Sequence, residues 1–427
     1  MSGQPSLIAR AYRALRPDLA LQPYRTLLRN RRMRQLLVGM CVSSAGDGMS
    51  VVAVPWMAVR LAPHDATGLF VGGAVAAYTL PGAIGAVLLS RLLRRRSARG
   101  LVIANCTVRT VLFSAIATFS LLGKLAPAAY VLLLAGSSVL FAWGTAGQYT
   151  MLSALGGPSG RLAANSLANA QASAAVIAGP AIAGLLIPHI GPAWLIALDA
   201  ASFASLGLQA SRVPLSEIVS EPPVDTAVVE SGFQLLRRRR LLGLVALTWL
   251  FFFLYGPVET ALPVYVAHDA QQNANLLGVY WSAYGAGALL ASLIAGALRG
   301  GHDNRALILL IVAGWGACLV PFMFAPVGVT IACFAVGGLI YGPYIPLTYA
   351  MFQSATTTAN LPSVLAARSA FTVIATPLGA AVGGPLVGAL GASRMLTASG
   401  ATTMLLAAAT AIVWRKSSRL GSGPIDI

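Results

Sequence analysis

The sequence has too few charged residues to cover a water-facing surface. Of its 427 residues only 10% are Asp, Glu, Lys or Arg, whereas 57% are hydrophobic. An ordinary soluble domain carries about 25% charged residues, so the composition excludes that class of protein. Acidic residues are the scarcest, with 12 against 29 Lys and Arg, giving a net charge of +17. Without a soluble domain to present a basic face, this surplus does not predict nucleic-acid binding.

Residue patterns that carry enzyme or metal chemistry are also missing. The four cysteines and four histidines are isolated, and no H-E-x-x-H or G-x-S-x-G occurs. We therefore expect no disulfide, metal site, cofactor or enzymatic activity. A Walker-type G-x-x-x-x-G-K-[ST] motif is absent too, so ATP is not the predicted direct energy source.

Long apolar stretches recur along the whole chain. A helix needs about 20 apolar residues to cross a bilayer. Twelve such spans are predicted, at 35–60, 67–90, 100–122, 127–152, 163–187, 192–210, 241–267, 275–298, 305–324, 327–350, 364–389 and 393–414. The predicted fold class is an all-α membrane protein with two six-helix bundles. Its predicted parts are a basic tail 1–34, a first bundle 35–210, a linker 211–240, a second bundle 241–414 and a tail 415–427.

The distribution of positive charge predicts the orientation. With both termini on one side, that side receives 25 of the 29 basic residues, including Arg368. Only Arg60, Lys124 and Arg394 fall on the other side, and Arg109 lies within span 3. Cytoplasmic loops carry the excess of Lys and Arg, so we expect both termini in the cytoplasm and the chain in the inner (plasma) membrane.

The two halves repeat one another. Spans 5 and 11 match at an offset of 200, which aligns Gly179 with Gly379, Gly184 with Gly384 and Gly191 with Gly391. Spans 2 and 8 match at 206, through Gly72 and Gly278, and spans 1 and 7 at 208, through 53–55 and 261–263. Because six spans separate equivalent positions, both halves have one topology. That is the parallel repeat of two-bundle transporters, whose interface is the natural place for a central pathway.

Three segments carry a family resemblance. They are Ser44-Ala45-Gly46-Asp47-Gly48 in span 1, Ala178-Gly179-Pro180-Ala181-Ile182-Ala183-Gly184 in span 5, and Leu198-Asp199-Ala200-Ala201-Ser202-Phe203 in span 6. Together they resemble the major facilitator superfamily, and within it bacterial drug exporters of the macrolide-efflux and enterobactin-exporter kind. The resemblance implies a secondary transporter that alternates between inward-open and outward-open states.

The resemblance also implies gating residues. The loop after span 2 reads Ser90-Arg91-Leu92-Leu93-Arg94-Arg95-Arg96, with Ser and Leu where the family has Asp and Gly. Its Arg91, Arg94 and Arg95 resemble the family's basic latch. The small residues Gly179, Pro180, Gly184, Gly383 and Gly384 have two interpretations: ordinary close helix packing, or an antiporter role in sealing the cytoplasmic gate.

Four charged residues lie well inside the predicted spans, away from the basic residues at the span ends, and ionised side chains there are costly and often functional. Asp47 shares a helical face with Ser43 and Ser50, a face expected to line a wet cavity. Asp47 is a candidate for proton or substrate coupling, or for a structural ion pair with Arg109. Arg109 could equally extend back to the cytoplasmic side. Glu259 is a candidate for coupling or a solvated vestibule residue.

We expect Asp199, the fourth of these residues, to approach the outer interface, and its family resemblance implies a structural polar contact. Further polar and aromatic side chains predict a substrate cavity. They are Gln148, Tyr149, Tyr255, Tyr280, Trp281, Tyr341 and Tyr344. Sites for sizeable organic molecules are mostly apolar with a few placed polar groups, so this set favours an amphiphilic or aromatic compound.

The leading hypothesis is a monomeric exporter in the lipid bilayer that couples proton entry to expulsion of a hydrophobic or amphiphilic drug or natural product. One alternative is a facilitator or importer of a small organic metabolite. The altered loop at Ser90 and Leu93 leaves a third alternative, a transport-inactive membrane receptor or scaffold.

Overall fold

The computed structural model describes residues 24–93, 96–214, 236, 241–297, 304–356 and 361–419, and every regular element in them is helical. The first half consists of Arg31–Leu61 (span 1), Thr67–Leu88 (span 2), Ala98–Leu121 (span 3), Pro127–Ser138, Phe141–Ile190 and Pro192–Ser211 (span 6). Pro127–Ser138 and the first part of Phe141–Ile190 form span 4. Gly157, whose φ is 60°, separates span 4 from span 5, which ends at Ile190.

The second half follows the same order. It consists of Leu242–Val264 (span 7), Ala274–Ala297 (span 8), Asn304–Leu319 (span 9), Val327–Tyr341 and Tyr344–Ser354 (span 10), Leu361–Thr372 and Ala375–Leu390 (span 11) and Ala392–Arg419 (span 12). Pro343 has no N–H to donate, and the helix of span 10 breaks beside it.

The predicted membrane fold is confirmed. Eleven of the described helical segments are long and apolar enough to cross a bilayer, and Ala274–Ala297 stands at the place of the remaining predicted span. Large apolar side chains such as Leu132, Leu185 and Leu405 are more than half exposed, as expected of helix faces that contact lipid. The chain is a multi-pass membrane protein.

The bundle has two distinguishable ends. At the near end, where spans 1 and 7 begin and spans 6 and 12 finish, Arg99 donates from Nη1 to the carbonyl of Val213 at 3.1 Å. At the far end, the Ser393 N–H donates to the Asp269 carboxylate at 2.9 Å, joining the start of span 12 to the turn after span 7. These contacts hold the connections of each half together.

Glycines at equivalent positions make equivalent turns. Gly191 has φ 79° and ψ 162° between spans 5 and 6, and Gly391 has φ 85° and ψ 157° between spans 11 and 12. A positive φ of this size is open to glycine and strained for other residues. Two glycines that are 200 positions apart in the sequence thus have nearly the same backbone conformation.

Glycine crossings repeat within the halves as well. A Cβ on Gly179 would lie 2.8 Å from the backbone nitrogen of Met49 in span 1. In the second half, a Cβ on Gly379 would lie 3.2 Å from the Cα of Gly256 in span 7. Small residues let the fifth helix of each half approach the first at backbone distance.

Candidate functional site

Asp47, Tyr78 and Arg109 form one polar cluster inside the first half, contributed by spans 1, 2 and 3. Arg109 Nη1 lies 3.1 Å from Asp47 Oδ1, and Nη2 donates to the Tyr78 hydroxyl at 2.8 Å. The Tyr78 hydroxyl in turn donates to Asp47 Oδ1 at 3.3 Å. Asp47 is 37% exposed whereas Arg109 is 3% exposed, so the acid is open to water and the cation is not.

Aromatic rings surround the Arg109 guanidinium. Its Cζ lies 4.0 Å from the ring centre of Phe203, 5.4 Å from Phe141 and 5.6 Å from Phe113. Cation–π attraction and the Asp47 pair both stabilise the cation at this depth. Of the two sequence alternatives for Arg109, the structure therefore shows the ion pair, and the side chain does not extend to the near end.

Asp199 is fully buried beside this cluster, which corrects the expectation that it approaches the interface. Ser50 donates to Asp199 Oδ2 at 2.5 Å, and the Ser202 hydroxyl is shared between Oδ1 at 3.0 Å and the Asp199 carbonyl oxygen at 2.7 Å. A Cβ on Gly46 would lie 3.1 Å from the Asp199 Cγ, so only glycine lets the carboxylate approach span 1 this closely. Two hydroxyl donors satisfy the buried acid, a structural polar contact.

Of the predicted wet face of span 1, only Asp47 is appreciably exposed. Ser43 and Ser50 are 5% and 1% exposed. The Ser50 hydroxyl is directed to the Asp199 carboxylate because a buried acid needs donors, and the packing of span 6 against span 1 then excludes water from this face.

A cavity of about 120 Å³ lies between the two halves. Glu259 of span 7 and Trp281 of span 8 line one side, and Ser50, Tyr78 and Thr79 line the other. A volume of this size holds several water molecules. Among the described residues, Glu259 has no ion-pair or hydrogen-bond partner, so its carboxylate is available to this cavity.

A larger cavity of about 310 Å³ lies in the second half and is almost entirely aromatic. It is lined by Phe251, Phe252, Tyr255, Tyr284, Tyr341 and Thr376. Two of the predicted cavity residues, Tyr255 and Tyr341, belong to it. Tyr344 stacks on Tyr341 with ring centres 5.9 Å apart but is fully buried, and its hydroxyl donates to Thr248 at 3.1 Å. Tyr344 therefore supports the cavity wall from behind.

The remaining predicted cavity residues lie elsewhere. Trp281 lines the smaller cavity, and Tyr280 is fully buried with its hydroxyl 2.6 Å from Thr330. Tyr149 is exposed, with its hydroxyl donating to Asn169 at 3.1 Å. Ser43, Gln148 and Tyr149 line neither cavity.

The internal repeat relates the polar cluster to the aromatic cavity. At the offsets of 208 and 206, Asp47 corresponds to Tyr255, Tyr78 to Tyr284 and Arg109 to Trp315. Trp315 lies 5.8 Å from Tyr255 and 5.3 Å from Tyr284, measured between ring centres. One half thus has an ion-pair cluster where the other has an aromatic cluster, a substitution that the offsets alone were sufficient to detect.

The two halves meet through four glycines, here called the far-end seam: Gly72, Gly184, Gly278 and Gly384. A Cβ on Gly72 would lie 2.8 Å from the Cα of Gly384, and a Cβ on Gly278 would lie 2.8 Å from the Cα of Gly184. The repeat makes Gly72 equivalent to Gly278 and Gly184 to Gly384, so the two crossings are symmetric copies. Both lie in the far half of the bundle.

The other gating candidates are placed differently. Gly179 packs on span 1 within its own half, beside Pro180, whose carbonyl lies against Gly278 of the seam. A Cβ on Gly383 would lie 2.7 Å from the Cα of Pro257 in span 7. Arg91 lies in the short helix Ser90–Leu93, and Arg94 and Arg95 lie outside the described residues.

Residues 36–298 match the family described as the Major Facilitator Superfamily. The chain belongs to the major facilitator superfamily. It is 28% identical over 404 residues to the multidrug efflux pump Tap of Mycobacterium tuberculosis, covering 83% of this chain and 87% of Tap. Over 232 residues it is 28% identical to the enterobactin exporter EntS of Escherichia coli, covering 52% of this chain and 53% of EntS.

A solved structure supports the same fold. The nucleoside transporter NupG superposes with a TM-score of 0.69 at 12% identity, over 90% of this chain and 98% of NupG. This chain is therefore a major facilitator transporter, and the proteins it resembles are transporters rather than enzymes.

One buried charged residue of this transporter was not singled out from the sequence. Arg368, counted with the cytoplasmic basic residues, is 4% exposed within span 11. Its Cζ lies 4.7 Å from the ring centre of Tyr349 and 5.5 Å from that of Phe352. Arg368 lies only four residues inside the predicted start of span 11 at 364, so charge counting assigned it to the cytoplasmic side, and the sequence did not show that Tyr349 and Phe352 bury its side chain.

Proposed function

We propose that this transporter exports hydrophobic or amphiphilic drugs or natural products in exchange for protons. The observation that carries the proposal is the pairing of a half-exposed Asp47 with a buried Arg109 through Tyr78. Water can reach Asp47, so its carboxylate can accept a proton. Water cannot reach Arg109, so its charge is left uncompensated when Asp47 is protonated.

The coupling follows from the electrostatics of this pair. Removing one partner of a fully buried ion pair costs about 3–5 kcal/mol because the other charge is left uncompensated. The exposure of Asp47 makes the cost smaller here. Protonation of Asp47 therefore leaves Arg109 with only Tyr78 and its aromatic neighbours, and this favours a rearrangement of span 3 against span 1.

The substrate would occupy the aromatic cavity of the second half. A mostly apolar cavity of about 310 Å³, with tyrosine hydroxyls and Thr376 in its wall, suits an organic molecule with aromatic or apolar groups. Glu259 lines the smaller cavity between this site and the ion-pair cluster. It is the residue best placed to connect proton binding with substrate binding.

The predicted topology assigns the two ends to the two sides of the membrane. With the near end in the cytoplasm of a bacterial inner membrane, the far-end seam would close the outer side, and we propose that the described arrangement faces inward. Rocking of the bundles 35–210 and 241–414 about the central cavities would separate the seam and release substrate outside. A single chain contains both cavities and the cluster, so we propose that a monomer is sufficient.

The named relatives support export. Tap is described as a multidrug efflux pump and EntS as an enterobactin exporter. Export is the activity that the two names share.

Drug susceptibility tests the proposal. We would express wild type, Asp47→Asn and the control Asp65→Asn in a drug-hypersensitive bacterium and measure minimum inhibitory concentrations for a panel of hydrophobic drugs. Asp65 is exposed in the short turn His64–Ala66 at the far end, outside the cluster.

We expect protection by wild type and Asp65→Asn, and its loss with Asp47→Asn at equal membrane expression. Full protection by Asp47→Asn would remove this carboxylate from the mechanism. The absence of protection by wild type against every drug, together with the absence of efflux, would contradict export.

A further inference from the structure

A groove of about 570 Å³ lies on the outside of the second half, between spans 9 and 12. Among the described residues, none that lines this groove lines either cavity of the proposed transport pathway. Leu310 and Met404 line it and are 67% and 40% exposed, so the groove is open to the surrounding bilayer. Five alanines line most of its length and leave room for a ligand: Ala306, Ala313, Ala407, Ala408 and Ala411.

The groove extends from a close helix crossing to the near end of the bundle. A Cβ on Gly316 would lie 3.0 Å from the Cγ of Met404, so spans 9 and 12 approach closely at this level. From there the lining runs from Ala313 to Arg305 on span 9 and from Met404 to Arg415 on span 12. At a helical rise of 1.5 Å per residue, these stretches are about 12 Å and about 16 Å long. One leaflet of the hydrocarbon core is about 15 Å thick, so the groove has the depth of a single leaflet.

Two arginines line the near end of the groove. Arg305 begins span 9 and Arg415 lies near the end of span 12, with Trp414 beside it in the groove wall. No acidic residue is found among the described residues of this lining. Tryptophan is enriched at the level of the lipid headgroups, and a guanidinium binds phosphate through parallel N–H···O bonds. The groove therefore presents positive charge at headgroup depth and apolar surface at the depth of the acyl chains.

The first half uses the equivalent positions differently. At the offset of 206, Arg305 corresponds to Arg99, which donates to a backbone carbonyl just after span 6 at 3.1 Å. Thr110, the equivalent of Gly316, donates to the Ala200 carbonyl at 3.2 Å. Spans 3 and 6 are thus joined by side chains at both levels. In the second half, the interval between the same two levels is the groove.

We propose that this groove binds one anionic phospholipid from the near-end leaflet, with an acyl chain along the alanines and the phosphate between Arg305 and Arg415. The predicted topology makes this the cytoplasmic leaflet. Burial of the chain and attraction of the headgroup to two arginines both favour binding. The bound lipid would join spans 9 and 12 at the near end. The site lies apart from the proposed transport pathway, so lipid binding is measurable whether or not the protein exports drugs.

Native mass spectrometry tests the proposal, because it counts bound lipids and gives an affinity for each. The purified full-length chain, freed of lipid by detergent exchange, would be titrated with dioleoyl phosphatidylglycerol or dioleoyl phosphatidylcholine. The two lipids have the same acyl chains, but only the first has a net negative charge. Wild type should bind the first phosphatidylglycerol about 30-fold more tightly than phosphatidylcholine, the effect expected of two arginines near an anionic headgroup.

Charge variants test the headgroup end of the groove. Arg305→Gln and Arg415→Gln should each weaken binding of the first phosphatidylglycerol about fivefold, and the double variant about 30-fold. Arg212→Gln is the matched control, since Arg212 is an exposed near-end arginine bonded to Gln209 at 3.3 Å and does not line the groove. Its phosphatidylglycerol affinity should change less than about twofold.

A pair of alanine variants tests the acyl-chain end. Ala408→Phe places a large side chain in the groove and should weaken the first phosphatidylglycerol about fivefold or more. Ala409→Phe adds the same side chain at the next position, which is exposed and does not line the groove, and should bind as wild type.

Four results would overturn the proposal: equal affinity of wild type for the two lipids, unchanged phosphatidylglycerol binding in the double arginine variant, unchanged binding in Ala408→Phe, or displacement of phosphatidylglycerol by millimolar glycerol 3-phosphate. The last result would indicate a site for soluble phosphate instead of a lipid. The comparison of the two lipids and the displacement test use only wild type, so they decide the question even where a variant does not fold.

Discussion

Replacement of Gly72 by valine should open the far end of the transporter. A Cβ at this position would lie 2.7 Å from the Ala380 carbonyl oxygen and 2.8 Å from the Gly384 Cα. Carbon atoms in ordinary contact lie about 3.5–4.0 Å apart, so spans 2 and 11 must separate by roughly 1 Å. The two remaining methyl carbons of valine enlarge the displacement.

The same substitution one residue further on is a matched control. A Cβ on Gly73 meets no atom within 4 Å. Gly73→Val therefore carries the same change in helix propensity and side-chain volume on the same helix, without contact across the seam. A difference in gate opening between the two variants is therefore caused by the contact across the seam.

The expected magnitude follows from the cost of overpacking. Extra side-chain carbons in a well-packed contact cost about 1–3 kcal/mol. The cost applies only to the state in which the far end is closed, so the ratio of far-open to far-closed molecules should rise by roughly 5- to 150-fold. The transporter would spend more time open at the far end, and turnover would fall.

Cysteine labelling measures this ratio. Thr79 is exposed and lines the smaller cavity, the one of about 120 Å³ between the two halves. In a background without the four native cysteines, Thr79→Cys would be labelled by an impermeant maleimide added on the far side. Gly72→Val should accelerate labelling, and Gly73→Val should not. Equal rates in the two variants would refute the assignment of the seam as the far gate.

Four further substitutions, at three positions, test the described contacts. Asp199→Asn should preserve the acceptor for Ser50 and change the melting temperature little, whereas Asp199→Leu should cost about 1–3 kcal/mol; equal stability would contradict the contact. Tyr130→Phe removes a buried 2.8 Å bond to the Val54 carbonyl and should lower stability by about 0.5–1.5 kcal/mol in thermal denaturation; an unchanged melting temperature would argue against it. Tyr78→Phe removes the hydroxyl that joins Arg109 to Asp47 and should slow pH-driven flux about tenfold or more, at a stability cost of about 1–3 kcal/mol, and wild-type flux would exclude its bridging role.

The architecture was predictable because membrane helices leave strong local signals. Apolar length predicted the spans, and the offsets of 200 and 206 paired Gly184 with Gly384 and Gly72 with Gly278 before any contact was known. Small residues at such positions are required wherever two backbones approach closely. The symmetric seam is therefore the part of the site that the sequence predicts most directly.

Contacts that depend on helix rotation were not predictable in the same way. Ser50 and Asp199 are 149 positions apart, and whether Ser50 faces water or span 6 depends on how span 1 is turned about its axis. Arg368 shows the same limit, because an arginine near a helix end can lie in the loop or be buried. Only packing against Tyr349 and Phe352 distinguishes the two.

Flux driven by an imposed pH gradient tests the central claim most directly. Inside-out vesicles with wild type or Asp47→Asn would be loaded at acidic pH, diluted into neutral buffer, and assayed for uptake of a transported dye. Wild type should concentrate the dye only while the interior is acidic, and Asp47→Asn should not concentrate it. Uptake that is independent of the gradient, or full gradient-driven uptake by Asp47→Asn, would contradict proton-coupled export through the Asp47–Arg109 pair.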